Sequence, residues 1–273
     1  MSAIQPAQIK QQAVRLAQEF SSPDVFISKL HTLLEFYANR THRPGQFSTT
    51  PTILPSYNAP DPVLRQVLIA LKPQAESKPQ ETLALCTRLW EAAWLETRIL
   101  AARLLGQIPL SCQESILGLI DEWVTPAIDP QVLKEVLTTG LSRVRRDAQD
   151  AYFKIVERWL NAETGYRKIG LQALKQLLKD EKFENFPPVY RLLMPVITTV
   201  SDDRKHEVLP VLQSLSRRVP QEAVYFLRQS LVHAQPNPDI VLWLIKKCVP
   251  EFPEELQVKL RGTMREMDAR RKW

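Results

Sequence analysis

The sequence predicts an all-α fold, a right-handed α-α superhelix of stacked helical hairpins, on three observations. Apolar residues recur with a 3.6-residue period almost everywhere after residue 60, the signature of amphipathic helices, whereas strict strand alternation is hard to find. Capping residues followed by proline mark helix starts at Ser22-Pro23, Asp61-Pro62, Asp129-Pro130 and Asn237-Pro238. Proline suits the first helical turn because its missing N–H would be unpaired there anyway. Finally, only 7 glycines occur in 273 residues, too few for nucleotide-binding α/β folds, which need glycine wherever backbone must approach phosphate.

Reading from one start signal to the next predicts helices over 5–20, 23–39, 61–72, 79–91, 94–107, 113–124, 130–141, 144–160, 163–180, 187–200, 203–218, 221–233, 238–249 and 253–270. Tyr166, Ile169, Gly170, Ala173, Leu174 and Leu177 share one helix face, and Tyr152, Ile155, Val156 and Trp159 repeat the spacing in the helix before. Two such helices across a short polar break form a hairpin whose apolar stripes need neighbours to cover them. Trp90, Trp123 and Trp159, each near a predicted helix end, repeat at a length suited to one helical pair, so the array reads as HEAT-like. The stretch 41–60, rich in Pro, Ser and Thr, reads as a connection between an N-terminal hairpin at 1–40 and the repeat array at 61–273. One continuous domain over 1–273 is the alternative.

Cys86, Cys112 and Cys248 are odd in number and far apart, so buried free thiols are expected rather than disulfides or a structural zinc. The start of the chain lacks a basic region followed by an apolar core, and no run reaches the ~18 apolar residues of a membrane span. A cytoplasmic location without membrane partners is the expectation. No Gly-rich phosphate loop, His-Glu-x-x-His or nucleophile elbow occurs. His31, His42, His206 and His233 stand apart from one another and from cysteine, as surface or structural histidines do. No metal and no small-molecule cofactor is expected.

The formal charge is +6, and most of it gathers in 142–179. There Arg143, Arg145, Arg146, Lys154, Arg158, Arg167, Lys168, Lys175 and Lys179 face Asp147, Asp150, Glu157 and Glu163. Lys168, Gln172, Lys175 and Lys179 fall opposite the apolar stripe of their helix. Such a row can track a phosphate backbone, or it can be an ordinary solvated face. Trp94, Trp123, Trp159 and Tyr166 are candidate groove rings, with core packing as the alternative. Glu163, in the turn after Trp159, is either a carboxylate for a site or a helix cap.

The stretch Leu89-Trp90-Glu91-Ala92-Ala93-Trp94-Leu95-Glu96-Thr97-Arg98-Ile99-Leu100-Ala101 resembles bacterial HEAT-like DNA alkylation repair proteins, alkylpurine DNA glycosylases, in which a Leu-Trp helix end precedes an aromatic and Glu-x-Arg-x-x-Ala. Trp159 through Leu171 and the Pro62-Val63-Leu64-Arg65 helix start are similar to further landmarks of that family. The resemblance covers roughly 55–235. It implies a scaffold that holds duplex DNA in a basic concave groove and excises cationic alkylated purines without a metal. Trp159 would then be one ring of the site, Glu163 the carboxylate and Arg167 an orienting cation. The chemistry is coherent, because a fixed carboxylate stabilises the positive charge that develops on the sugar. The chain departs from the family at Glu122–Pro130, where Trp123 and a cap-like Asp129 replace a Trp-Asp-x-x-Asp-like turn, and no tryptophan stands near Pro210 and Val211. Two other readings remain open. One is a protein-binding scaffold without catalysis; the other is contact with an acidic surface through Arg261, Arg265, Arg270, Arg271 and Lys272.

Overall fold

The computed structural model describes residues 6–38, 52–162, 164–234 and 238–270. Fifteen α-helices and no strand occur among them. They form two compact units, Met1–Tyr152 and Phe153–Trp273.

The first unit holds α1 (Pro6–Ala17), α2 (Pro23–Phe36), α3 (Asp61–Ser77), α4 (Pro79–Glu91), α5 (Leu95–Leu105), α6 (Gln113–Trp123), α7 (Pro130–Glu135) and α8 (Ser142–Asp147). Odd-numbered helices pack in sequence, α1 on α3, α3 on α5 and α5 on α7, and α2, α4 and α6 do the same. The result is two layers, each hairpin placing one helix in each layer and burying its stripe against the pair that follows. The N-terminal hairpin is therefore packed directly on the helices that follow residue 60, α1 on α3 and α2 on α4.

Every cap-proline signal that falls on described residues does start a helix, but the capping side chain acts at one. Asp129 Oδ1 accepts from Gln131 N at 2.8 Å and from Val132 N at 3.4 Å. Ser22 makes no side-chain cap bond, and Asp61 lies inside α3 with Pro60 at the cap position. Asn237 lies outside the described residues. The predicted helix 61–72 runs on through Pro73 to Ser77; a proline costs one backbone bond there, which the burial of Leu71 and Ala75 accompanies.

The predicted helices 130–141 and 144–160 are also rearranged. After α7 the chain widens into a π-turn at Val136–Gly140, continues as α8, breaks at Ala148 and resumes as α9 (Gln149–Asn161). Two glycines explain the packing at this point. A Cβ on Gly106 would lie 2.1 Å from Thr139 O, and one on Gly140 would lie 3.2 Å from Ala102 O. The end of α5 and the π-turn thus approach backbone to backbone, which at Gly106 only a residue without a side chain permits and at Gly140 a Cβ would crowd. Arg103 of α5 ties three helices of the layer together. Its Nη1 donates to Asp61 of α3 at 2.6 Å, and Nη2 and Nε donate to the two oxygens of Glu135 of α7 at 2.9 and 3.2 Å.

The second unit contains most of α9, then α10 (Thr164–Leu177), α11 (Pro187–Thr199), α12 (Lys205–Arg218), α13 (Pro220–His233), α14 (Pro238–Cys248) and α15 (Glu254–Arg270). Here α10, α12 and α14 pack successively in one layer and α11, α13 and α15 in the other. The stripe of α10 is buried as its spacing requires, with Ala173 and Leu174 at 0% exposure. Arg218 closes the loop before α11 by donating to the carbonyls of Asp180, Glu181 and Phe183 at 2.6–2.9 Å. Cys86 and Cys248 are buried thiols whose deprotonation burial opposes, whereas Cys112 is half-exposed, so the expectation of buried cysteines holds for two of the three.

Candidate nucleic-acid interface

The basic segment does not form a single face. Arg143 pairs with Glu76 at 3.5 Å, and Arg146 pairs with its neighbour Asp147 at 2.8 Å. Arg145 turns inward, Nη1 donating to Leu137 O at 2.7 Å and Nη2 to Thr138 O at 3.4 Å. Those carbonyls belong to the π-turn, so Arg145 is a structural cap for a distorted helix rather than a ligand-facing cation. Arg167 donates from Nε to Leu160 O at 3.3 Å across the α9–α10 turn. Arg158 is exposed and engaged within the protein.

The row that runs along α10 and into the turn just past it is different. Lys168, Gln172, Lys175 and Lys179 are all exposed. None of the three lysines pairs with a carboxylate among the described residues, and α10 contains no acidic residue. Its layer continues the pattern. Over their helical spans α10, α12 and α14 carry eight Lys and Arg residues against Glu207 and Asp239, a surplus of six positive charges. In the other layer α11, α13 and α15 carry six Lys and Arg against five acids, a surplus of one. The layers of one unit therefore differ strongly in charge, although they are built from the same helical pairs.

The candidate rings divide. Trp159 is 3% exposed within the apolar stripe of α9, so it is a core side chain. Trp123 is also 3% exposed, and its face lies parallel to Trp90 with centroids 4.3 Å apart. These two residues, near the ends of α4 and α6, stack because α4 and α6 are neighbours in one layer. Trp94 and Tyr166 are half-buried. Glu163 lies outside the described residues, as does His42.

A further cluster in the first unit joins residues far apart in sequence. Tyr57 stacks on Trp94 with centroids 4.2 Å apart, and His31 meets both rings at 5.8 Å while its Nδ1 lies 2.9 Å from Tyr57 Oη. Burial lowers the His31 pKa, and the Glu96 carboxylate opposes that effect. Burial raises the Tyr57 pKa, with Glu35 and Glu96 adding to it. Glu96 itself is 3% exposed. Its Oε1 accepts from Ser56 Oγ at 2.8 Å and from Ala59 N at 3.3 Å, whereas Oε2 is buried without a hydrogen-bond partner. Asp129 holds the same segment, Oδ2 accepting from Ile53 N at 2.7 Å and from Thr52 Oγ at 2.8 Å. Burial would raise the Asp129 pKa, but the four hydrogen bonds outweigh it and leave the pKa lowered. Arg98 lies 4.8 Å from the centre of the Trp90 ring, its charge opposed by burial and favoured by Asp129.

The left-handed residues Asn58 and Ala93, at φ 53° and 59°, flank this cluster. For alanine that conformation costs about 1–2 kcal/mol, a strain that the surrounding bonds must hold. Glu96 was legible in one respect: it stands four residues before Leu100 and so on the buried side of α5, where a carboxylate is out of place. Its partners at 56–59, some 40 residues away, were not.

The described chain is thus all-helical, layered in helical pairs, with the charge of its second unit gathered on one layer. The chain matches the family model described as DNA alkylation repair enzyme over residues 32–238, and it belongs to that family. No curated protein and no solved structure matches it. The family match gives no support to the protein-scaffold alternative. No described helix is long and apolar enough to cross a membrane.

Proposed function

We propose that this chain binds duplex DNA through the α10–α12–α14 layer, its hairpins stacked as HEAT-like repeats in a right-handed superhelix. The observation that carries the reading is the charge difference between the two layers of the second unit. Lys168, Lys175 and Lys179 are its first contacts, because they are exposed and lack carboxylate partners among the described residues. Phosphate neutralisation by such lysines releases counterions, so binding weakens steeply as salt rises. Fluorescence anisotropy with a labelled duplex tests this. Salt-dependent binding by the unmodified chain, lost on reversal of the three lysines to glutamate, supports the reading; absence of binding at low salt refutes it.

Metal-free excision of alkylated purines is a second reading with its own observation, the buried and unpartnered Glu96 Oε2 beside the His31–Tyr57–Trp94 cluster. A carboxylate held out of water stabilises developing positive charge more than one in bulk solvent. Glu163 is the other carboxylate proposed for this role, from the family resemblance. Methylated DNA incubated with the unmodified chain, Glu96→Gln and Glu163→Gln separates them, since loss of purine release in one variant alone assigns that carboxylate. Equal release by all three removes both from the site, and no release by the unmodified chain refutes excision.

A further inference from the structure

Residues 239–273 lie beyond the span of the family match, and α14 there brings an aromatic ring into the cationic layer. Trp243 is half-buried. Lys205 Nζ of α12 stands 4.6 Å from its ring centroid and Lys247 Nζ 5.8 Å from it, while His206 meets the ring edge-on at 4.9 Å. Lys246, beside Lys247, is exposed. Lys205, whose side chain is 16% exposed, is also paired with Asp202 at 2.6 Å, a carboxylate that is itself 77% exposed. Two ammonium groups drawn to one indole repel each other, and the negative face of the ring offsets that repulsion and holds them in place. The two C-terminal lysines of α14 also suit the helix dipole. That role, however, does not call for Lys205, which starts a different helix, to converge on the same ring.

We propose that Lys205, Lys246 and Lys247 form a second phosphodiester-binding site at the α14 end of the layer, with Trp243 as the positioning residue. The ligand is the phosphate backbone of the nucleic acid already assigned to α10, so the inference rests on the DNA reading and extends its footprint past α12. Lysines held by a ring lose less side-chain freedom when a phosphate arrives than lysines on a bare helix face, which is why the ring contributes to affinity without touching the ligand.

The test uses the full chain, a labelled duplex and a salt titration. Replacing Lys205, Lys246 and Lys247 together by alanine should flatten the slope of log K against log salt by about 0.9 for each phosphate that is no longer neutralised. Trp243→Leu should weaken binding several-fold, and Trp243→Phe should restore most of it, because phenylalanine keeps a ring face for the ammonium groups. Thermal melts of each variant separate a folding defect from a binding one; a purely dipolar or packing role shifts the melt and leaves the slope unchanged. A lysine variant with unmodified affinity and slope, alongside a Lys168/Lys175/Lys179 variant that binds poorly, overturns this site alone. Equal loss with leucine and phenylalanine overturns the role of the ring. Failure of the unmodified chain to bind DNA at any salt overturns the DNA reading and this inference with it.

Discussion

Replacing Lys168, Lys175 and Lys179 by alanine is the perturbation that weighs most on the DNA reading. All three are exposed, Lys168 and Lys175 on the face of α10 opposite its buried stripe and Lys179 in the turn just past its end, so their removal leaves the core intact. Should each neutralise one phosphate, the triple variant neutralises three fewer, and the slope of log K against log salt flattens by about 2.7. Between 50 and 200 mM salt, a fourfold change, the unmodified chain then loses about 40-fold more affinity than the variant does. At low salt the variant binds more weakly; toward high salt the two curves converge. Anisotropy titrations at four or five salt concentrations measure both slopes directly. Parallel lines offset by a constant would refute the reasoning, because they would mean that the lysines act through something other than counterion release.

Three further predictions concern the scaffold. Asp129 has a folded pKa below its unfolded value, so its stabilisation is complete above about pH 4, the unfolded range, and is lost as pH falls through the folded value. Asp129→Asn keeps the helix cap but turns an amide toward Ile53 N–H; urea denaturation should show a loss of about 1–3 kcal/mol at pH 7 that shrinks at pH 3, and an equal loss at both refutes it. Gly106→Ala should cost about 1–3 kcal/mol in thermal denaturation, because its Cβ would meet a backbone oxygen. Gly118→Ala, at a helical site with nothing within 4 Å, should instead stabilise by about 0.5–1 kcal/mol, and a reversed order refutes the close approach. A double-mutant cycle on Arg103→Met and Glu135→Gln should give a coupling of about 1–3 kcal/mol, since both side chains are less than a fifth exposed. Additive losses would show that the three-helix tie contributes little.

The helices were legible in the sequence. Their 3.6-residue stripes and proline start signals are local, and the helices from Pro79–Glu91 to Gln113–Trp123 and from Thr164–Leu177 onward fall within a few residues of where spacing places them. The family was legible as well, and the family match over 32–238 bears it out. What the sequence did not determine was the fate of each charge and ring. Arg145 and Lys168 look alike in the sequence, yet one caps the carbonyls of a π-turn and the other faces solvent. Trp123 disappears into a stack because α4 and α6 are neighbours. Glu96 and Asp129 are spent on holding 52–59, across separations of up to 77 residues. A side chain's role depends on which groups the packed layers bring within about 3–4 Å of it, and that is a property of the tertiary contacts rather than of its neighbours along the chain.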